Sequence, residues 1–443
     1  MSAIAGVTIP DSTQLVQEIL SSLRHRGNQS QTVFSTPHVT MGITWSSEVH
    51  TDKEEILRQH TVSDSPGFGH EARALADSEG KLILERDPWG VVPLYIAYLK
   101  EGQIAFASEV KALIRISQKI QEIFPGTRWR DGQTYPILSS SAQIPTPSDS
   151  TSGAALLHRS LTRAVTGRIH TDKIGSWLSG GLDSSYVAAL ASQSVRKLYT
   201  FAAGLKGSSD LTFAKIMADH IKSEHHSLEF TFQELIEVLP DVIYHLESFD
   251  ALLVRSSLTH YLAARSASDY VDQVFSGEGA DELFAGYDYL ASIPLPSLQA
   301  ELDHLVASLH NTALQRVDRC AGAFGLTAHI PFLDPGVVQL AQQIPVEWKR
   351  RAGVGKWIVR EAATNVLPEA ILRRPKAKFW EGAGVGQLLA EHADKHISDG
   401  DFKRERLLPN GWILNSKEEL FYYRIFKERL GLFENLDWMG RTP

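Results

Sequence analysis

The sequence predicts two domains of different class: an antiparallel, β-rich N-terminal domain carrying a helix or two, then an α/β domain on a right-handed parallel sheet with added helices. Three observations predict this. Residues 81–85 (KLILE), 94–98 (LYIAY) and 103–107 (QIAFA) are short alternating runs separated by Pro88, Gly90 and Gly102, the period-two pattern of strands joined by turns. Residues 136–154 (PILSSSAQIPTPSDSTSGA) are rich in Ser, Pro and Thr and lack apolar periodicity, as a linker does. Beyond them strand-like and helix-like segments alternate, which implies a right-handed parallel sheet with helices on its faces.

The expected organisation is therefore a domain over 1–135, a linker over 136–154 and a second domain over 155–443. After the linker, Leu157, Leu161, Ala164 and Val165 recur at helical spacing, predicting a helix over 155–168. Strand 174–178, helix 185–192, strand 197–203, helix 211–221, strand 225–230 and helix 232–246 follow. A helix over 257–267 then precedes a strand over 270–275. From about Pro296 the chain reads as mostly helical. No internal repeat is visible.

Composition narrows the function. The 443 residues include 44 basic and 52 acidic ones, a net charge of −8, so neither a nucleic-acid surface nor an anionic membrane is indicated. A single cysteine, Cys320, excludes an intramolecular disulfide framework and a thiolate-rich metal site. Neither a signal-peptide pattern nor an apolar run near the ~20 residues of a membrane span is present. A cytoplasmic location is expected.

Chemistry concentrates in three segments. In residues 176–185 (SWLSGGLDSS) a strand ends at Leu178, Ser179–Gly180–Gly181 turns, and a helix opens near Asp183–Ser185. Two glycines allow close backbone approach, and a helix N-terminus offers free N–H groups to an anion. The pattern is neither GxxxxGK[ST] nor GxGxxG. Asp183 inside a phosphate cradle needs a cation between, so it reads as a magnesium ligand. The same residues would also serve as a plain glycine turn, with Asp183 and Ser184 capping the helix. Residues 276–282 (SGEGADE) follow a predicted strand. Ligands bind beyond the carboxyl ends of parallel strands, so Asp281 is a second candidate magnesium ligand and Glu278 a candidate base or substrate-orienting group; a solvated acidic loop is the plainer alternative. Residues 374–384 (RPKAKFWEGAG) form a glycine-bearing basic loop whose lysine could neutralise developing phosphate charge, or simply be solvated.

The chain resembles the class B asparagine synthetase family. The resemblance is carried in order by SGGLDSS (Ser179–Ser185), GSSDL, HHS, VIYHLESFD, SGEGADELFAGY (Ser276–Tyr287), LQRVDR, IPFLD, KWIVREAA and SKEELFYYRIF. It implies an Ntn-type β-sandwich amidotransferase domain followed by an ATP-pyrophosphatase domain. That second domain adenylates a carboxylate with ATP, releases pyrophosphate and lets an amine attack. Carried across, Leu178, Ser179, Gly180, Gly181, Asp183 and Ser184 match the nucleotide and pyrophosphate loop. Ala203 falls where adenosine is contacted, and Ser276 and Gly277 line the same nucleotide. Asp183 and Asp281 match the Mg²⁺ ligands, Lys376 the lysine against the adenylate, and Arg255 the region of the substrate carboxylate. Glu278 favours the asparagine-forming branch over relatives that cyclise their own substrate.

The N-terminal half departs from the family. Serine stands at position 2, where the family's glutaminase uses a cysteine freed from Met1, and a hydroxyl is a far poorer nucleophile than a thiol. The family's NGE-type segment has no match between Met41 and Asp77, and its HRGPD segment appears only as RHRGN. This domain is expected to lack glutaminase activity. Thr327 and His329 replace Glu and Arg of the family's GLEARVPFLD, and they are expected near the entrance to the adenylate pocket. The expected function is thus an ATP-dependent carboxylate–amine ligase, with aspartate as the default acid. The amine would arrive as free ammonia, from a partner protein or within the substrate. The alternatives are a cyclising or condensing ligase of the β-lactam- or lasso-forming kind, or a non-catalytic interaction protein. Whether a homodimer forms is open.

Overall fold

The computed structural model describes residues 1–46, 53–67, 69–137, 144–375, 382–383 and 385–442. Strand Ser2–Val7 lies between Thr40–Trp45 and Ile104–Ala107 in a six-stranded antiparallel sheet, completed by Ser30–Ser35, Tyr95–Tyr98 and Ile120–Glu122. A second antiparallel sheet runs Gln133–Pro136, Thr127–Arg130, Leu82–Arg86, His70–Ala76 and Thr61–Gly67. Alternation along the strands explains how they stack. Ile4, Met41, Ile43 and Phe106 of the first sheet share one apolar core with Val62, Ala72, Leu84 and Trp129 of the second. Ala3, Ala5 and Val7 point the other way, to the core that contains Val16, Ile19 and Leu20 of helix Thr13–Ser21. Gly6 is required here, since a Cβ would sit 2.4 Å from the Phe106 ring.

The helix expected over 155–168 begins earlier, at Ser150, and runs to Thr166. Asp149 accepts from the Ser152 N–H at 2.7 Å, and the Ser152 hydroxyl closes a reciprocal capping box. This nucleates the helix inside the stretch read as linker from its Ser/Pro content. Likewise helix Ala251–Ser268 begins six residues before the expected start, because Asp250 caps the Leu253 N–H at 2.8 Å.

The third sheet is parallel throughout, in the order Glu224–Phe230, Tyr199–Leu205, Ile174–Trp177, Gln273–Phe275, Thr327–His329. From Ile174–Trp177 the chain moves first to one side, then returns to the other. The crevice beyond its carboxyl end, between it and Gln273–Phe275, is therefore the topological switch point where such sheets bind ligands. No described helix is long and apolar enough to cross a membrane.

Candidate active site

Two loops leave the carboxyl ends of the strands flanking this crevice and meet. The first, residues 178–181, leads into helix Leu182–Ser192, with Gly181 as its N-cap. Gly180 has φ +70°, and a Cβ there would lie 2.4 Å from Phe213. The loop is thus pressed against helix Ser209–Ile221. The Ser179 and Ser184 hydroxyls stand 3.1 Å apart, and the Ser179 hydroxyl accepts from the Gly181 N–H at 3.3 Å. The second loop, residues 276–279, enters helix Ala280–Phe284. A Cβ on Gly277 would come within 2.7 Å of the Ser184 nitrogen, so the two loops touch backbone to backbone. Their aspartates then converge on one cation: Lys356 Nζ lies 2.5 Å from Asp183 Oδ2 and 2.7 Å from Asp281 Oδ1.

A cavity of about 420 Å³ opens over these loops. Leu178, Ser179, Gly181, Asp183, Ser184, Ala203, Ser276, Gly277, Glu278 and Asp281 all border it, so ten of the residues singled out from sequence face one space. Gly180 supports it from behind. Arg255 is placed elsewhere: it does not border the cavity, and its guanidinium grips Glu418 (Nε to Oε1, 2.7 Å), tying helix Ala251–Ser268 to the C-terminal helix Lys417–Leu430. Lys376 lies outside the described residues.

Several site residues carry no signal of their own in the sequence. Lys356 and Arg316 sit in segments that carry the resemblance, yet their roles appear only across the fold. Arg316 forms an ion pair with Glu278 across the cavity wall. Arg374 reaches the Ser179 carbonyl at 2.8 Å and Asp210 Oδ1 at 2.5 Å, bracing the first loop. Tyr287 donates to Glu282 Oε1 at 2.5 Å. Burial, with Asp281 and Glu278 adding repulsion, pushes the Glu282 carboxyl up to about 7. Burial, reinforced by the Arg316 charge, keeps His260 neutral against the Trp177 ring, 4.0 Å away.

Magnesium takes one or two carboxylates together with phosphate oxygens. Asp183 and Asp281, already focused on one cationic group beside a glycine-lined cradle, fit that requirement. Among the described residues no group of three or more His, Cys, Asp or Glu side chains is placed to hold a metal ion.

The N-terminal half is built differently. The Ser2 hydroxyl donates to Asp64 Oδ1 at 3.0 Å, and its carbonyl accepts from Arg26 Nε at 3.0 Å. The Met1 amine donates to Ser46 Oγ at 3.0 Å and is pushed down to about 6, chiefly by burial. Arg26 binds Asp318 through both terminal nitrogens (2.7 and 3.0 Å) and also Asp64 and Glu109, each at 3.1 Å. The remaining space, about 20 Å³, holds about one water molecule. Thr327 borders this junction, not the cavity over the two glycine loops. His329 is buried with Nε2 on Gln273 Oε1 at 2.8 Å. The entrance placement expected of both is corrected, since strand Thr327–His329 is the sheet's outer strand and packs against strand Thr61–Gly67, while His329 is the packed, hydrogen-bonded histidine that its lone position suggests.

The comparisons with known proteins agree with this architecture. The asparagine synthase family model matches residues 156–303 and 297–433, and a glutamine amidotransferase domain model matches 52–115. A glutamine-hydrolyzing asparagine synthetase of Oryza sativa subsp. japonica is 34% identical over 81% of this chain, which spans 65% of that protein's length. A second, from Arabidopsis thaliana, is 34% identical over 88% of this chain and 75% of its own. The solved NMN synthetase of Francisella tularensis, 12% identical, covers 66% of this chain and 98% of its own at a TM-score of 0.32, a likeness too slight to carry weight. With sequence identity extending across both halves and the family model covering most of the second, the chain belongs to the asparagine synthetase family.

Proposed function

We propose that this chain is an ATP-dependent carboxylate–amine ligase of the asparagine synthetase type, which adenylates an acid, releases pyrophosphate and forms an amide. The observation that carries this is the meeting of the two glycine loops, which turns a helix N-terminus and two aspartates onto one cavity at the switch point. In this reading residues 1–135 form an Ntn amidotransferase-like domain, 136–154 the connection and 155–443 the ATP-pyrophosphatase unit.

The N–H groups at the start of helix Leu182–Ser192, with the Ser179 and Ser184 hydroxyls, bind the phosphates. Leu178, Ala203, Ser276 and Gly277 line the nucleoside. Asp183 and Asp281 would hold Mg²⁺, which when bound would supply positive charge beside the phosphate oxygens. Lys376 belongs to the segment that adds a further cation there. Glu278, aligned by Arg316, orients the amine and accepts its proton as nitrogen attacks the activated carbonyl. Aspartate is the default acid. Serine in place of the family's cysteine at position 2, with its hydroxyl donating to Asp64, supports an amine that arrives as free ammonia, from a partner protein or within the substrate rather than from glutamine hydrolysed by this chain.

The test is pyrophosphate release from Mg·ATP and aspartate, with ammonium, with glutamine and with no nitrogen source. Turnover to asparagine with ammonium alone is expected. Glutamine-driven turnover would overturn the reading of Ser2, and silence in every lane would reject aspartate as the acid.

A further inference from the structure

We infer that Lys356 is a built-in counter-ion that makes divalent-cation binding at Asp183 and Asp281 conditional on nucleotide. The inference deepens the reading of that pair as the magnesium site. Its ammonium lies within 2.7 Å of both carboxylates and is nearly excluded from solvent, with its side chain 5% exposed. The backbone at Lys356 is left-handed, φ +54°, and its N–H donates to the Phe284 carbonyl at 2.9 Å, the helix that carries Asp281. Its stem is packed as well. A Cβ on Gly286 would lie 2.1 Å from Lys356 Cε and 2.0 Å from Asp281 Oδ1. Gly286 thus packs against the lysine stem, and Lys356 also borders the cavity.

The consequence is electrostatic. These two carboxylates and one ammonium sum to −1, with the Arg360 guanidinium also acting on Asp183, in a place where like charges a few ångströms apart repel strongly. A dehydrating divalent ion arriving alone meets a positive neighbour and too few ligands. Triphosphate oxygens change both conditions, supplying ligands and enough negative charge for the ammonium and the metal together. Metal thus enters with nucleotide, and without nucleotide Lys356 keeps the two aspartates assembled.

The experiment is Mn²⁺ titration of the full chain without nucleotide, followed by the loss of the free-ion EPR signal. Wild type and Lys356→Arg are expected to take up none below millimolar Mn²⁺. Lys356→Met is expected to bind one equivalent at least tenfold more tightly, and the further change Asp281→Asn should abolish that binding. One equivalent bound by nucleotide-free wild type overturns the inference with no variant required. Equal behaviour of folded Lys356→Met and wild type, checked by circular dichroism, overturns it too. Pyrophosphate release by wild type is read separately, so failure of the ligase reading and failure of the counter-ion are told apart.

Discussion

The chain holds two clusters of buried charge, one at the junction beneath Ser2 and one at the switch point of the parallel sheet. At the junction Arg26 is ringed by Asp64, Glu109 and Asp318, while Arg319 and Lys111 both reach Glu247. Little space remains among them. At the switch point two aspartates share a single lysine under an open cavity of about 420 Å³. Neutralised, close-packed charge binds a chain to itself. Charge beside a glycine-lined space stays accessible to a ligand. The junction cluster, drawn from both halves of the chain, joins them, whereas the switch-point cluster leaves its charge beside a cavity.

The largest effect that would sharpen this contrast is at the open cluster. Asp183→Asn or Asp281→Asn should lower pyrophosphate release about 10³-fold, the scale for losing charge stabilisation in a dry site, with an unaltered circular dichroism spectrum. Activity within tenfold of wild type would remove these residues from the metal site. Glu278→Gln, which also loosens Arg316, should cost about 10²-fold in amide formation while sparing ATP–pyrophosphate exchange. Equal losses in both assays would contradict its role toward the amine.

At the closed cluster the readout is stability. Arg26→Ala leaves three buried carboxylates facing one another and should cost about 3 kcal/mol, seen as a lower urea midpoint; an unchanged midpoint would break the comparison. A smaller effect comes from His70, whose Nε2 meets the Leu333 carbonyl across the junction at 2.9 Å. Burial, with Arg168 adding, holds its pKa near 4 against an ordinary 6.5. The unfolded chain therefore takes up this proton first on acidification. Its contribution is complete above pH 6.5 and is lost as pH falls through about 4. His70→Gln, which keeps a donor for Leu333, should flatten the urea midpoint's dependence on pH over that window. The smallest effect is Ser2→Ala: turnover with ammonium unchanged, and stability lowered by about 1 kcal/mol for the lost hydrogen bond to Asp64. A fall in glutamine-supported product would instead show a live serine.

Much of the fold is legible because strand and helix periodicities are local. The early start at Ser150 was legible too, in the Asp149–Ser152 spacing, but Ser and Pro content outweighed it. The two glycine loops could be read because each packs its chemistry into fewer than ten residues. Arg255 could not be placed by the same means. Its partner Glu418 is 163 residues away, and nothing beside either residue distinguishes a brace from a substrate ligand. Thr327 and His329 stood out as departures, but only strand order shows which side of the sheet they border.

By itself, then, the sequence determined the antiparallel N-terminal strands, the parallel sheet and the two glycine loops at its edge, since backbone freedom, helix ends and alternating burial are properties of neighbours along the chain. Tertiary structure alone decided that Lys356 stands between Asp183 and Asp281, that Arg316 holds Glu278, and that Arg26 closes the space beneath Ser2. Those are charges from distant segments brought within 4 Å, where exclusion of water makes each pairing strong and its geometry specific.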